Sequence, residues 1–193
     1  MVRKYTDAEL LQRVEALESF KGFPTDFWIL GVRSKADLPD KFDDKFYLYE
    51  GKKFHLVTTG TTHPGLSILK GGFKRYNKKG GAVVHADKWY YNVWKYGLHK
   101  KLMPALLQIG AKIDVHRDGD LDNKAEELGD AIAGWYGINF HANTYDMNNK
   151  KIVDKIGGWS AGCQVVNNTE KYVQFIEKCK AQKSVSYCLI NEF

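Results

Sequence analysis

The stretch INFHANTYDMNNKKIVDKIGGWSAGCQVV, residues 138–166, contains two short apolar runs separated by a polar segment. The first run ends at His141, and the second follows Cys163, 22 positions later. The β-branched and aromatic residues of these runs predict two strands with a loop between them. If the strands pair, the histidine at the end of one lies near the cysteine at the start of the other. The stretch therefore predicts a β-rich domain with a histidine–cysteine pair.

Cys163 differs from the other two cysteines in its surroundings. A thiol is nucleophilic only as the thiolate, which needs a base or a positive field nearby. A lone cysteine is more often a buried structural residue. Cys179 and Cys188 fit that description, because one falls on the apolar face of a predicted helix and the other within an apolar strand. Cys163 instead follows the small residues 160–162, which predict a tight turn. It is therefore the candidate nucleophile, with His141 as the candidate base.

Helical periodicity appears near the two ends of the chain. Thr6 and Glu9 have the spacing of a capping box at the start of a helix predicted over residues 6–19. A second helix is predicted over residues 168–182, and LMPALLQ, residues 102–108, is expected to form a helical turn. A β-hairpin is predicted over residues 45–60 with its turn at Glu50-Gly51. Further strands are predicted within residues 27–34, 81–99, 111–120 and 184–193.

This order of elements predicts an α+β fold, mainly β, in one domain that covers residues 1–193. An N-terminal helix segment occupies residues 1–22, a β-rich catalytic core residues 28–167, and a C-terminal helix and strand residues 168–193. Neither an internal repeat nor a linker interrupts the chain, which favours a single domain.

The composition indicates an ordinary globular protein with a basic surface. The 193 residues carry a formal net charge of +6, and the pI is about 9.0. This charge suits nucleic acid, an anionic cell-wall polymer or an acidic membrane surface as a partner, and a solubilising surface charge explains it equally well. Three cysteines without paired spacing argue against a disulfide framework. No apolar run is long enough to span a bilayer and no secretory signal is visible, so we expect synthesis in the cytoplasm and no stable membrane insertion.

Residues 138–166 resemble the catalytic motif of the L,D-transpeptidase (YkuD-like) family, in which a histidine and a spacer precede Ser/Thr-His-Gly-Cys. Here His141 is followed by residues 142–159 and then by Ser160-Ala161-Gly162-Cys163. Ala161 stands where most members have a second histidine, a departure that favours hydrolysis over cross-linking. The blocks GVRSKADLPDKFDD, TTHPG, YGLHKKLMPALLQ and HRDGDLDN extend the resemblance, from residue 31 onward, to a divergent phage or prophage branch of the family.

The resemblance implies a YkuD-like β-sandwich or mixed-sheet domain that acts on the stem peptides of peptidoglycan. Cys163 would attack the carbonyl of a stem-peptide bond, and His141 would accept the thiol proton. The N–H groups of Gly162 and Cys163 would stabilise the oxyanion, and Ser160 would shape their loop. A backbone carbonyl, or Asn139 or Asn143, would orient the histidine. The residues expected to bind substrate are His99, Tyr96 and Asn143.

Metal binding is the remaining question for this sequence. Asp118, Asp120 and Asp122 resemble the start of a calcium loop, but Gly129 occupies the twelfth position, where such a loop has a glutamate. A solvated acidic turn and a site for the amine of a diaminopimelate stem are the alternatives. Outside His141, the histidines show no H-E-x-x-H or similar spacing, so we expect no metal and no cofactor. They are His55, His63, His85, His99 and His116.

The sequence thus predicts a monomeric, cysteine-dependent peptidoglycan peptidase, such as a phage endolysin, that reaches the cell wall in the periplasm after release from the cell. An L,D-transpeptidase that forms or exchanges stem-peptide bonds is the first alternative. The second is a non-catalytic module that binds cell wall or nucleic acid through the basic and aromatic segment 71–101. No nucleic-acid-binding motif accompanies that segment, so we expect no nucleic-acid partner.

Overall fold

The computed structural model describes residues 1–193 and contains two α-helices and eleven strands. A short irregular helical turn at Ile68–Gly72 separates β3 from β4. The elements are α1 (Asp7–Glu15), β1 (Phe27–Arg33), β2 (Asp44–Glu50), β3 (Lys53–Thr61), β4 (Gly81–Val84), β5 (Lys88–His99), β6 (Met103–Gln108), β7 (Ile113–Asp118), β8 (Ile132–Gly134), β9 (Phe140–Ala142), β10 (Gln164–Val166), α2 (Thr169–Cys179) and β11 (Val185–Asn191).

Eight of the strands form a closed barrel in the order β1-β11-β5-β6-β9-β10-β3-β2, and β4, β7 and β8 form a separate three-stranded sheet. The barrel is mixed, because β1 and β11 pair in parallel and so do β9 and β10, whereas its other pairs are antiparallel. The predicted mainly-β fold with mixed pairing is confirmed. Of the expected sandwich or mixed sheet, the mixed sheet is the one observed, and it closes into a barrel because β1 pairs with both β11 and β2.

The larger of the two main cores combines barrel residues with one face of α2. The aromatic rings of Phe46, Trp94, Phe140 and Tyr187 are buried there, and Phe140 lies 5.5 Å from Phe175 of α2 between ring centroids. The helix contacts β1, β3, β6 and β9, which lie on different sides of the barrel. Helix α2 is therefore held in place by strands from several sides of the barrel.

The second core covers the outer face of β1, β2, β5 and β11. Leu10 and Val14 of α1 are fully buried there, together with Trp28 and Trp89. The predicted capping box is present, because Thr6 and Glu9 bond each other reciprocally. The helix ends at Glu15, before the predicted residue 19. The indole N–H of Trp89 donates at 2.8 Å to the Val14 carbonyl, one of the last carbonyls, which have no partner within the helix.

Residues 102–108 are the clearest error of the secondary-structure prediction. They were expected to form a helical turn, but Met103–Gln108 is strand β6, paired along its length with β5. The prediction was wrong because sheet pairing outweighs local propensity in a short apolar segment. Neither helix of the protein combines the length and apolar character needed to cross a membrane.

Candidate functional site

The predicted pairing of the two strands around His141 and Cys163 is confirmed. Strands β9 and β10 run parallel, with Val165 opposite His141, and the Gln164 N–H donates to the Asn139 carbonyl at 2.9 Å. Cys163 therefore lies across from Asn139, and His141 comes two residues later on the same face of β9. This register brings two side chains that are 22 residues apart in the sequence to one cavity.

The cavity that His141 and Cys163 share has a volume of about 540 Å³. Part of the lining comes from the segment 68–76, and part from His99 and Lys100 at the end of β5. Residues 158–161, which precede the cysteine, complete the lining. Its other side chains combine positive charge with aromatic rings, and they include Phe73, Arg75, Tyr76, Lys100 and Trp159.

His141 is held in one tautomer. Its Nδ1 donates to the Ala142 carbonyl at 2.7 Å, which leaves Nε2 as the unprotonated nitrogen of the neutral ring. This Nε2 is buried and has no hydrogen-bond partner. Burial lowers the pKa of His141 to about 3, despite the opposing effect of the Ala142 carbonyl. The imidazole is therefore neutral near pH 7, with a free lone pair.

His99 supports the ring of His141 from one side. The two imidazoles stack with centroids 4.4 Å apart and planes 17° apart. The Asn139 amide donates to Nδ1 of His99 at 3.0 Å, which fixes the orientation of the second ring. Burial and the charge of Lys100 lower the pKa of His99. Asn139 thus orients His99, whereas a backbone carbonyl orients His141.

The Cys163 thiol is protonated in this arrangement. Burial raises its pKa, although a backbone N–H at Asn139 and the charge of Lys100 act in the opposite direction. The thiol lies 3.5 Å from the Gly137 carbonyl, to which it donates. A neutral thiol beside a neutral imidazole is a resting pair in which the proton moves only when a reactant arrives.

Ser160 and Gly162 shape the turn that presents the cysteine. The buried Ser160 hydroxyl donates to the Cys163 carbonyl at 2.8 Å and accepts the Gly162 N–H at 3.1 Å. Gly162 has φ +136°, and a Cβ there would lie 2.5 Å from the Ala82 carbonyl oxygen. The expected loop-shaping role of Ser160 agrees with these contacts. The Gly162 N–H is already bonded, so of the two expected oxyanion donors only the Cys163 N–H is free.

The three expected substrate-binding residues are not all in this cavity. His99 lines it, but Tyr96 lies three residues earlier on β5 and faces a different cavity, beside Pro104 and Tyr172. Side chains three apart on a strand point to opposite faces. Asn143 is buried after β9, where its N–H donates to the Val166 carbonyl, and it does not line the cavity. Neither Tyr96 nor Asn143 therefore lines the cysteine cavity, and their role in binding substrate stays a prediction.

Arg75, Lys100 and Trp159 line the cavity but were not among the predicted site residues. The alternation of basic and aromatic residues in segment 71–101 was visible, but it was interpreted as a surface for binding a polymer. Lys100 follows β5 in a turn where it and Lys101 both have positive φ. That turn conformation, which local sequence does not specify, brings Lys100 to the cavity.

Two groups of side chains could hold a metal ion, each with three ligand atoms within 4.8 Å of one another. The first comprises Asp120, Asp122 and Glu126 in the acidic loop. Asp120 and Asp122 accept N–H groups from residues two positions later, a pattern typical of a self-capped turn. Burial raises the pKa of Asp118, whose carboxylate accepts the Glu126 N–H. The second group is His85, His116 and Glu127, where no metal site was expected.

Comparison with known proteins returned no match to this chain from any family model, curated protein or solved structure.

Proposed function

We propose that this protein is a cysteine-dependent peptidoglycan peptidase of the L,D-transpeptidase (YkuD-like) kind, which cleaves stem-peptide bonds through an acyl-enzyme on Cys163. One observation carries the proposal: the buried Nε2 of His141 has no partner and shares a cavity with the Cys163 thiol. An unpaired buried acceptor destabilises a folded protein, so its retention calls for a functional reason. Receiving the thiol proton supplies that reason.

The first half of the reaction forms the acyl-enzyme. As Sγ of Cys163 bonds to the carbonyl carbon, its proton passes to Nε2 of His141, and the carbonyl oxygen becomes an oxyanion. The Cys163 N–H, which has no backbone partner, would donate to that oxyanion. The C–N bond then breaks, and His141 returns the proton to the departing amine.

The second half releases the acyl group. Water attacks the thioester carbonyl, and His141 takes one of its protons. The C–S bond then breaks, the acyl group departs as a carboxylic acid, and His141 returns the proton to Sγ of Cys163. If an amine attacks in place of water, the same steps form a new peptide bond. Hydrolysis and transpeptidation therefore need the same cysteine and histidine, and they differ in the acceptor.

The cavity lining supports a peptide substrate with free carboxylates. Arg75 and Lys100 supply positive charge at the cavity, while Phe73, Tyr76 and Trp159 supply apolar surface for aliphatic side chains. Stem peptides of peptidoglycan carry both features. The basic net charge of +6 also favours approach to an anionic cell wall. A role as a phage lytic enzyme acting at the wall follows from the family resemblance and belongs to the proposal.

The proposal is tested by incubating purified peptidoglycan with the wild type, Cys163→Ala and His141→Gln, and analysing released muropeptides by mass spectrometry. The wild type is expected to release fragments with new amino termini. Cys163→Ala is expected to release none, and His141→Gln to act about 10²–10⁴-fold more slowly, the usual contribution of a general base. New cross-links or exchanged terminal residues would favour the transpeptidase alternative.

The matched control is His55→Gln, which removes a histidine that contacts Glu50 and does not line the cavity. It is expected to digest peptidoglycan as the wild type does. Equal digestion by wild type and Cys163→Ala would overturn the proposal. Binding of the wild type to sacculi without any released fragment would favour the non-catalytic wall-binding alternative.

A further inference from the structure

Two histidines and a glutamate converge in the three-stranded sheet, and none of the three lines the cysteine cavity. His85 follows β4 and His116 lies in β7, where the antiparallel register sets His116 opposite Val83. Glu127 comes from the segment between β7 and β8. His85 Nδ1 lies 3.0 Å from His116 Nε2 and 2.9 Å from Glu127 Oε2, and the last two atoms are 3.2 Å apart.

Two of the three side chains, His116 and Glu127, make further hydrogen bonds that orient their ligand atoms toward the centre of the group. Nδ1 of the buried His116 donates to the Gly129 carbonyl at 2.9 Å, which leaves Nε2 as the inward-facing nitrogen. Glu127 Oε1 accepts from the Arg33 guanidinium at 2.6 Å and from the Ala86 N–H at 2.9 Å, which leaves Oε2 free to face the histidines. Outer contacts of this kind orient the ligands in protein metal sites.

Hydrogen bonds alone do not satisfy this triangle. Each imidazole nitrogen has one in-plane position, which holds either a proton or a lone pair, so it forms one well-directed hydrogen bond. Here His85 Nδ1 and His116 Nε2 each face two partners at close range. Any placement of protons leaves two lone pairs, or two N–H groups, facing each other along one edge. A cation at the centre accepts all three lone pairs at once.

We propose that His85, His116 and Glu127 bind a zinc ion. Two imidazole nitrogens and one carboxylate oxygen form a ligand set that zinc takes in proteins, whereas calcium and magnesium prefer oxygen ligands. Ligand atoms around a tetrahedral zinc ion at 2.0–2.1 Å lie about 3.3 Å apart. The three edges observed here, 2.9 to 3.2 Å, reach that spacing with shifts of a few tenths of an ångström.

His85 is the most exposed of the three ligands, with 41% of its side chain exposed. That residue lines an open cavity of about 400 Å³ together with Glu18, Ser19, Asp87 and Lys88. The ammonium group of Lys88 is paired with Asp114, so it does not compete with the metal ion for the Glu127 carboxylate. An ion can enter from this side, and a water molecule can complete its coordination.

The test uses the full chain carrying Cys163→Ala, because a free thiol beside His141 would itself bind zinc. After chelator treatment, zinc is added and its stoichiometry and affinity are measured by native mass spectrometry and isothermal titration calorimetry. One zinc ion per chain is expected. Cobalt(II) in the same site is expected to show the strong visible absorption of a four- or five-coordinate ion. Since the Cys163→Ala variant lacks the proposed nucleophile, its zinc binding is independent of the proposed peptidase activity.

Variants of the ligands identify the site. His116→Gln and His85→Gln are each expected to weaken zinc binding at least about 100-fold, the upper range for loss of an outer-shell contact. His55→Gln and Asp122→Asn are the controls and are expected to bind as the parent does. If His116→Gln, which is buried, fails to fold, the half-exposed His85→Gln carries the test. A parent without bound zinc would overturn the proposal, as would ligand variants that bind as tightly as the controls.

Discussion

Acid should destabilise this protein through His141, because the folded chain holds that imidazole neutral. Its pKa is about 3 in the folded state, against 6.5 for an unperturbed histidine. Between these values the unfolded chain binds a proton that the folded chain does not, so the free energy of unfolding decreases as the pH falls. The slope is about 1.4 kcal/mol per pH unit. From pH 7 to about pH 4.5, the loss due to this one side chain is therefore about 2.5 kcal/mol.

The comparison of wild type with His141→Gln isolates this loss, since glutamine does not ionise and the other titrating groups are shared. Urea unfolding of both proteins at each pH gives the free energies. The wild type is expected to lose about 2.5 kcal/mol more than His141→Gln on acidification. The size of the effect depends little on the folded pKa, because pH 4.5 lies well above it.

An equal loss of stability in wild type and His141→Gln would refute the reasoning, because the unfolded state would then gain no extra proton. A smaller loss in the wild type than in the variant would mean that His141 is protonated in the fold. In that case it would not act as the resting base of the proposed reaction.

Three further outcomes are expected in the turn around the cysteine. Gly162→Ala should lower the free energy of unfolding by about 1–3 kcal/mol, since its Cβ would meet a β4 carbonyl, while Gly158→Ala, with no atom within 4 Å, should change it little. Ser160→Ala should cost about 1–3 kcal/mol by leaving a buried carbonyl and N–H without their hydroxyl partner, measurable by urea unfolding. Iodoacetamide, followed by peptide mapping, should label Cys163 before the two buried cysteines, and its rate should still rise with pH near pH 9 because the thiol pKa is raised. Stable Gly162 or Ser160 variants, or a labelling rate that levels off below pH 8, would contradict these expectations.

Local sequence signals correctly predicted those elements that are stabilised by contacts between residues close in sequence. Thr6 and Glu9 predicted the start of α1 through their capping box, and the Glu50-Gly51 turn predicted the β2–β3 hairpin. The end of α1 was missed, and the contact made there, from Trp89 to the Val14 carbonyl, comes from a residue distant in sequence. The strand at 103–108 was missed for the same reason, since its pairing partners lie outside the segment.

The candidate site divides in the same way. The residue types and their spacing identified Cys163, His141 and the turn at Ser160 and Gly162. They did not show that Gly162 has no free N–H or that Tyr96 faces another cavity. Those properties depend on strand register and on contacts made after folding.

The sequence by itself determined which reactive groups the chain carries and where its locally encoded elements form, such as the start of α1 and the β2–β3 hairpin, because composition, capping and side-chain periodicity act over a few residues. Only the tertiary structure decided that the barrel closes, that β9 and β10 bring His141 and Cys163 together, and that His85, His116 and Glu127 converge. It also decided the charge state of the histidine, because burial and hydrogen-bond partners, which set a pKa, come from residues far apart in the chain.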